Sequence, residues 1–548
     1  MKIFSFTLLF LAASRVAGDR GEQLFRKIES WFSRLARRDA LVLAILFVSV
    51  IIIRVAILPL LPVPVPGIHD ETSYLLQADT FAHGRLANPS HPMWRSFETF
   101  HVDWIPTYSS IYPPAQGFVL TIGQLLGLPW IGVLLSAAAM CSAIAWMLRA
   151  WMPARWGFLG GVLAALKFGF ASYWMNSYWG GAVAAIGGAL VLGTLPRIFR
   201  RPRVLYALIL GLGVAILANS RPYEGFVLCL PAALCFFWWL AGKTKSPANL
   251  RVPLRTVLAP LLLILTLTAT FMGYYNWRVT GSAFLMPHVY RTRNYHSSAL
   301  FLWEHLRAPL HYNNQQFEDF YNGWERENYQ TTWPSVWRVT KDKIDRDGRT
   351  FLWWGVLLLL PGFAFALFDK KIRLVVVTAL LGTLAVFTIA FSFAHYAAPF
   401  TCAIVALLVQ SIRHVRTFRI AAWPLGKWLS RAAVLFLIAD TTSYIMHKRC
   451  DPLSWTCEGD PSRVAIQNHF SHLPGKHLVI VRYDQDHNIH DEWVYNGAEI
   501  DNAKVLWARE LDQSQNEKLL NYFKDRQAWL VEPDTDNTAL VPYSPPEQ

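Results

Sequence analysis

Charged side chains are scarce. Asp, Glu, Lys and Arg make up 16% of the 548 residues while 53% are hydrophobic, and the mean hydropathy is +0.26. Soluble domains carry about 25% charged residues, so an ordinary soluble enzyme is excluded. Acid is the scarcer sign, with 37 Asp+Glu against 51 Lys+Arg and a net charge of +14. That excess does not point to nucleic acid: the bases sit between apolar runs, where membrane topology accounts for them, and no zinc-finger or RNA-binding signature is present. Cysteine is also sparse, at six. Cys141, Cys229, Cys235 and Cys402 fall inside apolar runs and read as core thiols. Cys450 and Cys457 are left as an expected disulfide in an oxidising compartment. Missing too are a G-x-x-x-x-G-K-S/T loop, a G-x-G-x-x-G fingerprint and a G-x-S-x-G elbow, so ATP-driven transport, nicotinamide chemistry and α/β-hydrolase catalysis have no support.

What the chain has instead is long apolar runs. A membrane span needs about 20 mostly apolar residues. Candidates lie near 40–61, 129–151, 157–174, 179–196, 204–219, 224–242, 255–275, 350–368, 372–393, 397–412 and 426–446, about eleven helices by that length rule. Basic clusters (Arg37/Arg38, Arg149/Arg155, Arg197–Arg203, Lys243–Arg255, Lys370–Arg373 and Arg413–Arg419) occupy alternate connections, which the positive-inside rule makes cytoplasmic. The N-terminus is then inside and the C-terminus outside, as in a bacterial inner-membrane protein facing the periplasm. Residues 1–38 are a basic, amphipathic N-terminal segment. Its first residues resemble a weak signal peptide, read here as retained, and Glu22–Arg38 reads as a helix on the membrane surface. Residues 39–446 form the transmembrane domain, with outer loops at 62–128 and 276–349. Residues 447–548 read as a small α/β unit, with strands near 477–483, 492–496, 504–508 and 528–531 and a helix at 516–525.

Of sixteen histidines, only His414 falls inside on this map, which draws attention to the outer loops. The first of them begins G-I-H-D-E-T-S-Y (Gly67–Tyr74). Adjacent carboxylates on a helix or strand point in different directions, so Asp70 and Glu71 are expected to differ in role. A carboxylate held at the membrane face suits a general base or a metal ligand. A divalent metal ion on His69, His91, Glu98 and His101 is conceivable, although their spacing matches no zinc motif.

The stretch His69–Pro89, with Asp70, Glu71, Tyr74, Gly84 and Pro89, resembles the first outer loop of GT-C membrane glycosyltransferases. The groups it is most similar to are the protein O-mannosyltransferase-like and aminoarabinose-transferase-like enzymes of glycosyltransferase family 39. Tyr112–Gly127 resembles the proline-led helix that closes that loop. The resemblance implies sugar transfer from a polyprenyl-phosphate-linked donor to a lipid, glycan or protein acceptor on the non-cytoplasmic face, with inversion at the anomeric carbon. It implies Asp70 as catalytic base. Glu71 would hold the acceptor, a metal or Asp70 itself. Some relatives carry an acid and a lysine just before the closing proline. Here Tyr112 and Pro113 stand there, which argues against aminoarabinose transfer to lipid A.

A leaving lipid phosphate calls for a cation nearby. Arg54 in the first span, Lys167 about 10 Å deep in the third and Arg221 at an outer helix junction are candidates, since charges within a membrane default to function. Arg221 with Glu224 is alternatively a structural ion pair. Asn176, within the aromatic turn Ser172–Gly181, is a candidate sugar contact. Arg278, His288, Tyr290 and His395, at the ends of outer loops, are candidates for lining the same cavity. A transporter or flippase of lipid-linked or charged substrates is the rival reading. It is disfavoured by the absence of internal repeats and by polar residues clustering outside the spans.

Overall fold

The computed structural model describes residues 18–243, 251–421, 423–450, 459–535 and 540–544. The signal-like residues 1–17 and Cys457 lie outside the described residues. Cys450 is disulfide-bonded, and Cys141, Cys229, Cys235 and Cys402 are free.

Helix α1 (Gly18–Leu35) is strongly amphipathic. Its Glu22 and Glu29 are tied by ion pairs to Arg431 and Arg416, which fasten it to the basic end of the bundle. The first span, α2 (Asp39–Ala56), leads to α3 (His69–Ala82) and α4 (Pro114–Leu125). Then follow α5 (Trp130–Trp151), α6 (Ala154–Phe168), α7 (Ala182–Arg200), α8 (Val204–Ala218), α9 (Pro222–Ala241) and α10 (Ala259–Thr280). After a helical connecting segment, including α11 (Pro287–Tyr295) and α12 (Trp333–Phe351), come α13 (Leu360–Leu367), α14 (Arg373–Thr388), α15 (Thr401–Val415) and α16 (Leu425–Met446). Proline at the first position of α4, α9 and α11 starts each helix where its missing N–H costs nothing.

Eight of the described helices are long and apolar enough to cross a membrane, and nine if the pair α12 with Trp354–Leu367, bent by 89°, is one span. Helices stand at all eleven expected places. Three of them, α6, α8 and α15, have only 15 residues, and α13 has eight. The protein is thus an α-helical, polytopic integral membrane protein.

The first loop folds back on itself. Strands β1 (Asn88–Pro89), β2 (Val102–Asp103) and β3 (Thr107–Ser110) pair antiparallel in the order β1-β3-β2. This sheet is locked to α3 by the Ser73 hydroxyl, which reaches the carbonyl of His101 (2.6 Å) and the hydroxyl of Ser110 (2.7 Å). Helix α4 packs close against α3 because position 117 is glycine: a Cβ there would lie 2.3 Å from Oε1 of Gln77.

The C-terminal unit is a four-stranded sheet of β4 (Lys476–Val481), β5 (Val505–Arg509), β6 (Arg526–Val531) and β7 (Val541–Pro542) in the order β5-β4-β6-β7. It carries α17 (Pro461–His472) and α18 (Gln513–Tyr522). The strand expected at 492–496 does not form. The Asn496 side chain takes a ladder partner's place on Trp507, donating to its carbonyl (2.8 Å) and accepting from its N–H (2.9 Å). Leu76, Phe97, Trp104 and Tyr108 of the first loop share an apolar core with Leu478, Ile480, Leu506 and Leu519 of this unit, so the two are packed as one body.

Candidate active site

Asp70 lies in the first turn of α3, beside a cavity of about 750 Å³. Its Oδ1 accepts the hydroxyl proton of Tyr112, and its Oδ2 stands 3.8 Å from Nδ1 of His101. Tyr112 is held in turn by stacking on Tyr74, with centroids 4.4 Å apart. Burial pushes the Asp70 carboxyl above its ordinary value, while the Tyr112 hydrogen bond and the charge of Arg221 pull it back. Around it, burial pushes His69 and His101 well below the usual imidazole value and His288 to about 4. The result is a carboxylate among neutral imidazoles, a setting for accepting a proton.

Glu71 points the other way. It is fully buried and does not line the cavity. Its Oε2 accepts from the backbone N–H of Gly67 and its Oε1 from that of Tyr178, both at 2.9 Å. Both oxygens are therefore used in joining the loop start to the turn after α6, so the expected hold on an acceptor, a metal or Asp70 gives way to a structural clamp. Burial raises its pKa to about 8 against the pull of these two amides.

Arg54 and Asn176 are likewise reassigned, because they bind each other. The Arg54 guanidinium donates to the carbonyls of Leu61 (2.9 Å) and Pro62 (3.1 Å) and to Oδ1 of Asn176 (2.7 Å), and it lies 4.7 Å from the Trp130 ring centroid. It turns the chain as it leaves the first span. Neither residue lines the cavity, nor does Lys167, which is buried in the last turn of α6. Arg278 is exposed on α10, beside a separate cleft formed with Gly84–Pro89 and Tyr274.

A second, mostly apolar cavity of about 430 Å³ adjoins the first and shares with it Ile111, Tyr112, His288, Leu300 and Tyr396. It lies at the ends of α9 and α10, where Phe226, Met272 and Tyr275 line it. Its cation is Arg221, at the N-terminus of α9, with the guanidinium 4.1 Å from the centroid of Tyr396. Tyr74 and Glu224 line it too. Arg221 acts electrostatically on both Glu224 and Asp70. His395 lines the larger cavity, with Nδ1 3.3 Å from the hydroxyl of Tyr173, whereas His288 stands in the shared wall. Tyr290, next to His288 on α11, is absent from both linings.

Sequence reasoning did not assign Tyr112, Tyr396, Arg346 or the C-terminal residues Asp460, His490 and Asp491, all of which line the larger cavity. Tyr112 had a signal, as the residue before the closing Pro-Pro. His490 had none, since its ring comes within 5.9 Å of His69 only through docking of the C-terminal unit.

The four residues considered for a metal are not brought together. His91 faces Asp501 (3.2 Å), and Glu98 accepts from Tyr295, Asn313 and Asn314. Among the described residues no group of three or more His, Cys, Asp or Glu is placed to hold a metal ion.

Fold and site define a polytopic membrane protein with a carboxylate-bearing cavity at the ends of its spans. No protein-family model and no curated protein matches the sequence. Among solved structures, the chain is similar to ArnT from Cupriavidus metallidurans bound to undecaprenyl phosphate, at 13% identity and TM-score 0.45, covering 90% of this chain and 93% of that one. It is also similar to the oligosaccharyltransferase AglB from Archaeoglobus fulgidus, in complex with an inhibitory peptide and a dolichol-phosphate, at 11% identity and TM-score 0.46, covering 89% and 69%. A TM-score below 0.5 does not by itself define a shared fold, so function is read from the site.

Proposed function

We propose that the protein transfers a sugar from a polyprenyl-phosphate-linked donor to an acceptor on the non-cytoplasmic side of the membrane. The observation that carries this reading is the paired cavity: a chamber of mixed lining with Asp70 at its wall, joined to a more apolar chamber at the ends of two spans that holds Arg221. The apolar chamber suits the lipid chain, with its phosphate at Arg221. The sugar then lies across the Tyr112–Tyr396 wall, next to Asp70. Asp70 takes the proton of the acceptor as the acceptor atom bonds to the anomeric carbon, and the carbon–oxygen bond to phosphate breaks. The leaving phosphate keeps the electron pair, and Arg221 stabilises its charge. A single displacement of this kind inverts the anomeric carbon.

Purified protein given a labelled polyprenyl-phosphate sugar should release polyprenyl phosphate. Counterflow uptake into vesicles without such release would instead establish a transporter.

Tyr112→Phe keeps the stack on Tyr74 and removes the hydroxyl from Asp70. That hydrogen bond favours the ionised carboxylate, so its loss raises the Asp70 pKa further. The base works deprotonated. The acid limb of the pH–rate profile, expected above the ordinary carboxylate value of 3.8 in the wild type, should therefore move to higher pH. At a fixed pH on that limb the rate should fall about tenfold.

A further inference from the structure

We infer that the larger cavity contains an anion subsite at Arg346, which takes a carboxylate or phosphate group on the part of a substrate remote from the lipid. This rests on reading that cavity as the transfer site.

Arg346 projects from α12 into the cavity wall. Among the described lining residues it is the one permanent cation; the other basic groups are histidines. Its guanidinium carbon lies 5.1 Å from the centroid of Phe391 and 4.8 Å from that of Phe393. These rings hold its plane and exclude water on those sides.

What sets Arg346 apart is what it does not bind. Nε and Nη2 are both buried with no hydrogen-bond partner. They form one edge of the guanidinium, the edge that grips a carboxylate or phosphate through two parallel hydrogen bonds. Among the described buried arginines, no other leaves both nitrogens of that edge without a partner. Arg291, by contrast, is bound to Asp103 and Tyr321, and Arg509 to Glu492. Asp342 and Asp347 temper the charge of Arg346 from the same helix, but no described carboxylate forms an ion pair with it. A charged donor edge that no protein group occupies, beside a substrate-sized cavity, is where an anionic ligand gains two charge-assisted hydrogen bonds.

The rest of the wall argues for the same position. Asp70, Glu325, Asp460 and Asp491 also line the cavity, and Glu325 is already engaged with His296 (2.8 Å). An anionic group would be repelled by these acids and drawn to Arg346. The lipid phosphate has its own cation in the other chamber, Arg221, so two anionic groups can be held apart.

The test is direct binding to full-length protein in detergent, read by thermal shift and by the fluorescence of Trp179 and Trp324, which line the cavity. Probes are glucuronate, glycerol 3-phosphate, glucose as the uncharged control and a short-chain polyprenyl phosphate. Glucuronate or glycerol 3-phosphate should bind where glucose does not, and the stronger of the two names the source as carboxylate or phosphate. Arg346→Gln should weaken that binding by at least about tenfold, with partial recovery in Arg346→Lys and no change in affinity for polyprenyl phosphate. The inference is overturned if neither anion binds the wild type, or if Arg346→Gln binds them as tightly. An equal loss of polyprenyl phosphate in that variant would also overturn it, by assigning Arg346 to the lipid phosphate. None of these readouts needs turnover. A protein that binds the anions yet releases no polyprenyl phosphate would sink the transfer reading and leave the subsite standing.

Discussion

Asp70→Asn should lower release of polyprenyl phosphate by about 10²–10⁴-fold, the range a positioned general base supplies, while expression, membrane insertion and melting temperature stay at wild-type values. The reason lies in what the amide keeps and loses. Its Oδ1 still accepts the hydroxyl of Tyr112, so the wall between the two cavities stays in place. It cannot take a proton from the acceptor. Asp70→Glu is a sharper control: the extra methylene drives the carboxylate out of register with Tyr112 and His101, so a base is present but misplaced, and a 1 Å misplacement can itself cost about 100-fold. If Asp70→Asn turns over at the wild-type rate, the proton goes elsewhere and the assignment of the base fails. If Asp70→Asn is inactive but also unfolded, the Glu variant, which keeps the charge, carries the comparison.

The transmembrane architecture was legible because its cause is local. A run of apolar residues long enough to cross a bilayer announces a helix without reference to any other part of the chain, and helices stand at all eleven expected places. Even there, the run at 350–368 yields only the eight-residue α13 beyond a bend of 89°, and α6 stops at Phe168, short of its expected end at 174. The differing orientation of Asp70 and Glu71 was legible as well, since neighbours on a helix cannot face the same way. The partners of these side chains were not. Tyr112 meets Asp70 across 42 residues, because β1-β3-β2 folds the loop back over α3. Glu71 meets the backbone of Tyr178 across 107 residues. Arg54 could be picked out by its charge within a span, but the carbonyls and the Asn176 side chain that consume it come from packing. A charge in an apolar run signals that something must satisfy it; whether that is a ligand or the protein's own backbone is settled only in three dimensions.

Glu71 is the sharpest case, and its removal should act on stability before chemistry. Glu71→Ala leaves the N–H groups of Gly67 and Tyr178 buried with nothing to accept them. Each unsatisfied group costs about 1–3 kcal/mol, so the variant should lose roughly 2–6 kcal/mol and melt several degrees lower in detergent. Glu71→Gln should rescue only in part. Its carbonyl oxygen can serve one of the two amides, but its NH₂ then faces the other donor. Asp70→Asn breaks none of these contacts and should melt with the wild type, so the two neighbours separate cleanly: one variant stable and inactive, the other destabilised. Activity in Glu71→Ala should fall only as far as the loop start drifts from Tyr112, and should recover in part at low temperature or with polyprenyl phosphate bound, because a ligand that binds the folded state stabilises it. A Glu71→Ala protein with wild-type melting and no activity at any temperature would return Glu71 to the chemistry. Both of its oxygens face backbone amides rather than the cavity, and that geometry is why the stability loss is the expected outcome.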